Sequence, residues 1–436
     1  MKVGFISLGC NKNLVDTEKM ISIFKENKHE IVNNPEEAEV ILINTCGFIE
    51  SAKQEAIDTI LEMAEYKENK CKYLIVTGCL VERYKEELQK EIPEVDLFIK
   101  YTEYQSFWKK IEEIIDKKNK SKVQINFENW QKRVITTGNN YAYLKIADGC
   151  SNRCTYCAIP NIRGPIKSRK FEDIIKEAKE LAKNGYKEII LTAQDTTKYG
   201  IDIYGKSRLA ELIHEISKIK EIKWIRFLYS YPETIDDELI EEVKNNNKVC
   251  KYFDIPIQHF SDNVLKRMNR KTKSQDIEKL IIKLRKEIQD VIIRTTIMVG
   301  FPGETEDDFD KLYEFIKKAK FDKMGAFTYS KEENTPAAKL KEQIHHATKK
   351  SRYNKIMKLQ KEISNERLKN NIGKTFDVLI ENKTFDEKYY IARSYMDVPE
   401  IDGVIFIEKR ESIEIGCFKK CKITDVKEYD LIGEIV

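Results

Sequence analysis

Apolar positions along the chain recur with two periods. In the first hundred residues the runs KVGFISL, VILINT and KYLIVTG are short, β-rich and continuous, and between them stretches such as SAKQEAIDTILEMAEY repeat their apolar positions every three to four residues. Continuous apolar runs belong to strands covered on both faces, and helical periodicity between them supplies the crossovers. Residues 1–116 therefore predict an open parallel α/β sheet. A charged, aperiodic stretch, DKKNKSKVQINFENWQKR from Asp116 to Arg133, breaks the alternation and predicts a linker over 117–140. From residue 141 to 371 the alternation resumes with the candidate strands YAYLKIADG, KEIILTAQD, WIRFLYSYP, KYFDIPIQH, VIIRTTIMVG and DKMGAFTYS, separated by helical stretches such as FEDIIKEAKELAKNG and TEDDFDKLYEFIKKAK. Six βα units are too few to close an eight-unit barrel, and right-handed crossovers curl them into an open partial (βα)6 barrel whose functional edge is the C-terminal one. After the helix KKSRYNKIMKLQKEISNERLKN, residues 372–436 change to short alternating runs (TFDVLI, YYIARSY, GVIFIE, KKCKITDV), which predict a small antiparallel β-barrel.

Composition narrows the class of protein. A chain of 436 residues with 34% charged and 41% hydrophobic residues reads as two or three globular domains. No apolar run is long enough for a membrane span, and MKVGFISLGC is too short before its first polar turn to be a signal peptide, so a cytoplasmic protein without a membrane partner is expected. The net charge of +4, spread over 77 basic and 73 acidic residues, singles out no nucleic-acid partner. Ten cysteines in such a chain argue against a disulfide framework and for metal or redox chemistry, if their spacing allows it.

The spacing does allow it. GCSNRCTYC sets Cys150, Cys154 and Cys157 as CxxxCxxC at the end of the first strand of the second alternation, with Gly149 before and Pro160 after marking a loop. Three thiols this close are no disulfide set and lack the fourth ligand of a closed zinc site, whereas an iron–sulfur cubane held by three thiolates keeps one iron open. The plainer readings are three buried cysteines, or a zinc site borrowing a distant ligand. In the first segment Cys10, Cys46 and Cys79 each follow an apolar strand, in FISLGC, ILINTC and LIVTGC. A lone cysteine there is most often a small buried hydrophobe. Three at equivalent strand ends of a parallel sheet converge on the crevice where such sheets bind ligands, and a second three-thiolate cluster is the economical reading. Cys71, Cys250, Cys417 and Cys421 have no such company and read as structural thiols, although the last two could take adventitious metal.

The CxxxCxxC loop at this place in a partial barrel resembles the radical S-adenosylmethionine superfamily. That resemblance implies a 4Fe-4S cluster on Cys150, Cys154 and Cys157 whose open iron chelates S-adenosylmethionine. It further implies Tyr156 against the adenine, and the turn VGFPGE, with Gly300, Gly303 and Glu304, along the nucleoside. Gln194 and Asp195, ending LTAQD, could meet the methionyl part or the substrate, with helix capping by Asp195 as the plainer alternative. Gln258 and His259 close DIPIQH on the same edge, where a polar residue reads as functional and a buried histidine equally reads as structural.

The order of a cysteine-bearing N-terminal α/β domain, this barrel and a terminal β domain similar to TRAM domains resembles the radical S-adenosylmethionine methylthiotransferases over essentially the whole chain. The resemblance implies two 4Fe-4S clusters, the auxiliary one on Cys10, Cys46 and Cys79, with S-adenosylmethionine as methyl donor and radical source. The stretches SLGCNKNLVDTEKM, NTCGFIESAKQEAID, AYLKIADGCSNRCTYCAIPNIRG and SYMDVPEIDG resemble the RimO type of that family, which modifies an aspartate at its β carbon on the small-subunit ribosomal protein numbered twelve. The partners so implied are that protein, free or on the ribosome, and an external electron donor. Residues 372–436 hold ten Lys and Arg against fourteen Asp and Glu, a net of four negative charges, which suits a basic ribosomal protein better than tRNA. The competing readings are a tRNA adenosine methylthiotransferase of the MiaB type and a non-catalytic, metal-stabilised RNA-binding protein. Arg163, Arg169 and Arg294 are the sequence candidates for holding the target carboxylate.

Overall fold

The structure, a computed structural model, describes residues 1–115, 132–138, 140–410 and 412–436. Most of the stretch read as a linker lies outside the described residues. Its C-terminal end is docked: Arg133 lies 2.6 Å from Glu18 and 2.8 Å from Glu177, with all three side chains buried.

The N-terminal unit is the expected open parallel sheet. Strands β1 (Lys2–Ser7), β2 (Glu30–Val32), β3 (Val40–Thr45), β4 (Tyr73–Gly78) and β5 (Leu97–Lys100) pair in parallel in the order β2-β1-β3-β4-β5. Successive residues of β3 point to opposite faces, and both faces are covered. Ile41 and Ile43 pack with Ala56 and Ile60 of α2 (Glu50–Ala64) and with Leu80 and Leu88 of α3 (Cys79–Glu91). Val40 and Leu42 pack with Met20 and Phe24 of α1 (Asn11–Glu26) and with Phe107 and Ile111 of α4 (Phe107–Ile115). Each fully buried aliphatic side chain contributes roughly 1.5–3 kcal/mol, and this double cover fixes where the strand ends fall.

Six parallel strands make the central unit: β6 (Tyr141–Lys145), β7 (Glu188–Thr192), β8 (Trp224–Phe227), β9 (Tyr252–Asp254), β10 (Ile292–Val299) and β11 (Lys323–Thr328). They form two three-stranded sheets, β8-β7-β6 and β9-β10-β11, joined by a parallel bridge between Ile225 and Val249. Alternate residues such as Ala142, Leu144, Ile189 and Leu191 face the covering helices. The intervening Tyr141, Tyr143 and Ile190 share a second core with Leu379, Tyr390 and Ile405 of the terminal domain.

That domain is a closed barrel of β12 (Thr375–Lys383), β13 (Tyr389–Ser394), β14 (Ile405–Glu408), β15 (Phe418–Lys427) and β16 (Asp430–Ile435) in the order β12-β13-β14-β16-β15. Four pairings are antiparallel as the alternation predicts, and the fifth, β14 with β16, is parallel. β15 pairs with β12, which leaves β14 to the last strand. Among the described residues no helix is long and apolar enough to cross a membrane.

Candidate active site

The N-terminal triad is built at three strand ends. Gly9, with φ 88°, turns the chain after β1 and puts Cys10 just before α1; a Cβ on Gly9 would stand 2.7 Å from the Cβ of Cys46 and 3.0 Å from its Sγ. Gly78, with φ 101°, does the same before Cys79, the first residue of α3, and a Cβ there would stand 2.4 Å from the Thr45 carbonyl oxygen. Only glycine fits both requirements. Asn13, wholly buried, ties the three ends together: its Nδ2 donates to the carbonyls of Leu8 and Thr45 at 3.1 and 2.9 Å, and its Oδ1 accepts from Arg163 and lies 3.8 Å from the Cys79 Sγ. Sequence reasoning passed over Asn13, because an asparagine in the first turn of a helix reads as surface.

The thiols titrate differently. Burial pushes Cys10 up, but the Lys12 ammonium, the Arg163 guanidinium and the N–H groups of Asn13 and Lys12 outweigh it and hold Cys10 below the usual thiol value. Burial carries Cys46 up to about 12 and raises Cys79 as well, with the neighbouring thiols of the triad adding to both.

The barrel triad lies in the loop after β6. The Cys150 N–H donates to the Gly164 carbonyl, the Cys157 N–H to that of Cys154, and Cys154 is flanked by the Tyr231 hydroxyl at 3.5 Å. Arg270 lays its guanidinium over the Tyr231 ring, 4.2 Å from the centroid, and reaches the Cys154 Sγ at 4.0 Å. Burial drives Cys150 to about 11 and Cys157 to about 12. A group that binds these thiolates would displace the protons that burial keeps on them.

The whole N-terminal triad and two thiols of the barrel triad, Cys150 and Cys157, open on the same space, while Cys154 does not line it. A cavity of about 340 Å³ is lined by Cys10, Cys46 and Cys79 on the N-terminal side and by Cys150, Tyr156 and Cys157 on the barrel side. Gln194 and Gln258 also face it, and the Oε1 of each is buried without a hydrogen-bond partner. Gln258 adopts φ 68°, a left-handed conformation that a non-glycine residue holds at a cost of about 1–2 kcal/mol. Buried acceptors without donors, beside three thiols, fit a ligand that brings ammonium or hydroxyl hydrogens. Among the described residues no three His, Cys, Asp or Glu side chains gather tightly enough to hold a single metal ion.

A protein of Alkaliphilus oremlandii named ribosomal protein uS12 methylthiotransferase RimO is 62% identical over 437 residues, covering 100% of this chain and 99% of its own. One of the same name from Caldicellulosiruptor saccharolyticus is 54% identical, with both chains fully covered. This chain belongs to the RimO family of methylthiotransferases. The RimO-family chain is matched in three parts: the Radical SAM superfamily over residues 144–316, the uncharacterized protein family UPF0004 over 2–100, and the TRAM domain over 372–436. In fold it is similar to the radical S-adenosylmethionine methyltransferase TsrM from Kitasatospora setae, at TM-score 0.54 and 12% identity over 77% of this chain and 76% of that one. It is also similar to the radical enzyme OxsB, at TM-score 0.52 and 14% identity over 82% of this chain and 56% of that one.

Not every residue singled out in the sequence reaches the cavity of this RimO-family chain. Gly300, Gly303 and Glu304 are not among the residues that line it. The Glu304 carboxylate accepts from the N–H groups of Gly300 and Phe301 at 2.7 and 3.2 Å and from Arg352 at 2.7 Å, and so holds the turn in place. His259 is fully buried behind the cavity, its Nδ1 accepting from the Ser261 N–H and its Nε2 3.6 Å from Glu304, which favours the structural reading. The Asp195 side chain caps no helix; it accepts from Asn152 in the cysteine loop and from Thr197, and burial raises its pKa. Of the three arginines only Arg163 lines the cavity. Arg169 donates to the Lys145 carbonyl and pairs with Glu177, and Arg294 pairs with Asp254 and Asp402 at the terminal-domain side. Cys71 and Cys250 are core residues, and Cys421 fills the terminal barrel.

Proposed function

We propose that this chain methylthiolates the β carbon of an aspartate on ribosomal protein uS12, working in the cytoplasm on the free protein or the assembled ribosome with an external electron donor. The observation that carries this reading is the cavity lined by Cys10, Cys46 and Cys79 of the N-terminal triad together with Cys150 and Cys157 of the barrel triad. Cys10, Cys46 and Cys79 would hold one 4Fe-4S cluster, and Cys150, Cys154 and Cys157 the other. When bound, these clusters and S-adenosylmethionine supply the one-electron chemistry, the sulfur and the methyl group needed at a carbon with no acidic proton.

The chain's own side chains bind, orient and exclude water. The free Oε1 atoms of Gln194 and Gln258 accept hydrogens from the cofactor or substrate, and Tyr156, half-buried and edge-on against Phe301, offers a flat apolar wall for an adenine. Arg270, pressed between Tyr231 and Cys154, offsets the negative charge that thiolates accumulate in the barrel loop. Access is closed at one side by Glu332, which lines the cavity and is held by Arg83 and Lys53 of the N-terminal domain, each at 3.2 Å. The two domains thus clamp the cavity and limit the entry of water to the reacting groups.

Anaerobic reconstitution followed by incubation with uS12 and, separately, with tRNA tests the assignment. We expect roughly eight irons per chain, roughly four in Cys154→Ala, and methylthiolation of uS12 alone. Methylthiolation of tRNA alone, or a single bound zinc without sulfide, would overturn it.

A further inference from the structure

Lys12 is a cavity cation that has the Cys10 thiol and the Tyr229 ring beside it rather than a carboxylate. It stands in the first turn of α1, is 6% exposed, and points its Nζ at the Tyr229 ring, 3.7 Å from the centroid. Among the described residues no carboxylate lies within ion-pair distance of it. Its cationic neighbour on the same wall is differently placed: Arg163 is matched by Asp16 at 3.1 Å and Asp148 at 2.9 Å. The carboxylate of the cavity wall, Glu332, is already shared by Arg83 and Lys53. Tyr229 holds its ring under the ammonium from a left-handed backbone, φ 63°, which is strained for a non-glycine residue. A buried ammonium without a carboxylate partner is costly to keep, and an arriving carboxylate lowers that cost.

The target's chemistry says where an anion must arrive. In an aspartate the carbon proposed to receive sulfur is bonded directly to the carboxyl carbon, so the carboxylate necessarily lies within a bond or two of the reacting centre, beside the sulfur-bearing triad. Lys12 is two residues from Cys10, a member of that triad, and faces the same cavity. We propose that Lys12 is the specificity-determining residue that binds the carboxylate of the target aspartate, with Tyr229 positioning its side chain. This rests on the aspartate reading proposed above. A neutral carboxamide of the same shape gains nothing from the ammonium, so Lys12 discriminates aspartate from asparagine.

The test uses the reconstituted full chain and two peptides that span the modified loop and differ only in aspartate or asparagine at the target. Binding is measured by fluorescence anisotropy, and KM and kcat by mass spectrometry of the methylthiolated product; iron and sulfide are assayed for every variant. Wild type should prefer the aspartate peptide, and Lys12→Met should lose about 10–100-fold of that preference, in Kd and KM rather than kcat. Lys12→Arg should keep most of it. If Lys12→Met retains the preference, or if it loses iron from the first cluster while the preference stands, the lysine's role is overturned and aspartate modification is not. If wild type binds and modifies neither peptide while modifying tRNA, the functional reading falls and the lysine's role falls with it.

Discussion

Glu188 offers a sharp test of how the terminal barrel is fixed to the central one. Its carboxylate is wholly buried, with Oε1 2.9 Å from Arg226 of β8 and Oε2 2.6 Å from Arg393 of β13, both also buried. Replacing it by glutamine keeps the shape and removes the charge between two guanidiniums. Arg393 retains Glu381 at 2.6 Å, but Arg226 is left with the Tyr395 carbonyl at 2.8 Å as its hydrogen-bond acceptor. Breaking a buried pair in this way costs ~3–5 kcal/mol. A small domain is stable by only ~0.05–0.15 kcal/mol per residue, so the loss rivals the terminal barrel's entire stability. Hydrogen exchange in β13 and β14 should therefore accelerate by ~2–3.5 orders of magnitude, while exchange in the N-terminal sheet stays as it is. Replacing Glu188, Arg226 and Arg393 together by apolar residues of similar volume should restore most of the protection, because the desolvation penalty disappears with the charges. Less than a tenfold change in Glu188→Gln would refute the reasoning. Burial pushes Glu188 up and the two arginines outweigh it, so its pKa lies below the usual carboxylate value. Its contribution is accordingly complete above about pH 4.3, the unfolded value, and is lost as the pH falls through the folded one.

Three further outcomes follow from the site. Gln258→Gly relieves a left-handed backbone and should leave stability equal or about 1 kcal/mol higher, while methylthiolation falls at least tenfold; a fall in Tm would contradict the strain. In the metal-free chain at pH 8, Cys46 and Cys157, both pushed to about 12, should alkylate at least tenfold more slowly than Cys10, and their rates should climb with pH toward 11 because a raised pKa leaves the thiol protonated below it; equal rates measured by peptide mapping would contradict this. Arg270→Met removes a positive charge beside Cys154 and should lower the midpoint potential of the barrel cluster by on the order of 100 mV; an unchanged potential in spectroelectrochemical titration would remove Arg270 from that role.

The chain by itself determined the class and order of its domains and the six thiols. Strands buried on both faces must be continuously apolar, so VILINT and KEIILT announce parallel sheets without any partner in view, and a cysteine after each of three such runs is bound to lie on the ligand-binding edge. What local pattern could not convey was how residues far apart in sequence meet. Glu304 bonds its own turn and also Arg352, a partner 48 residues away that no local pattern announces. Asn13 and Lys12 looked like helix surface, and they became a tie between three strand ends and a buried cation only because the barrel closes over α1. The shared cavity is likewise a product of docking, since Cys79 and Cys157 lie on separate domains. Periodicity records which face of an element leaves water, while the charge that faces another charge is fixed only once those faces have been brought together.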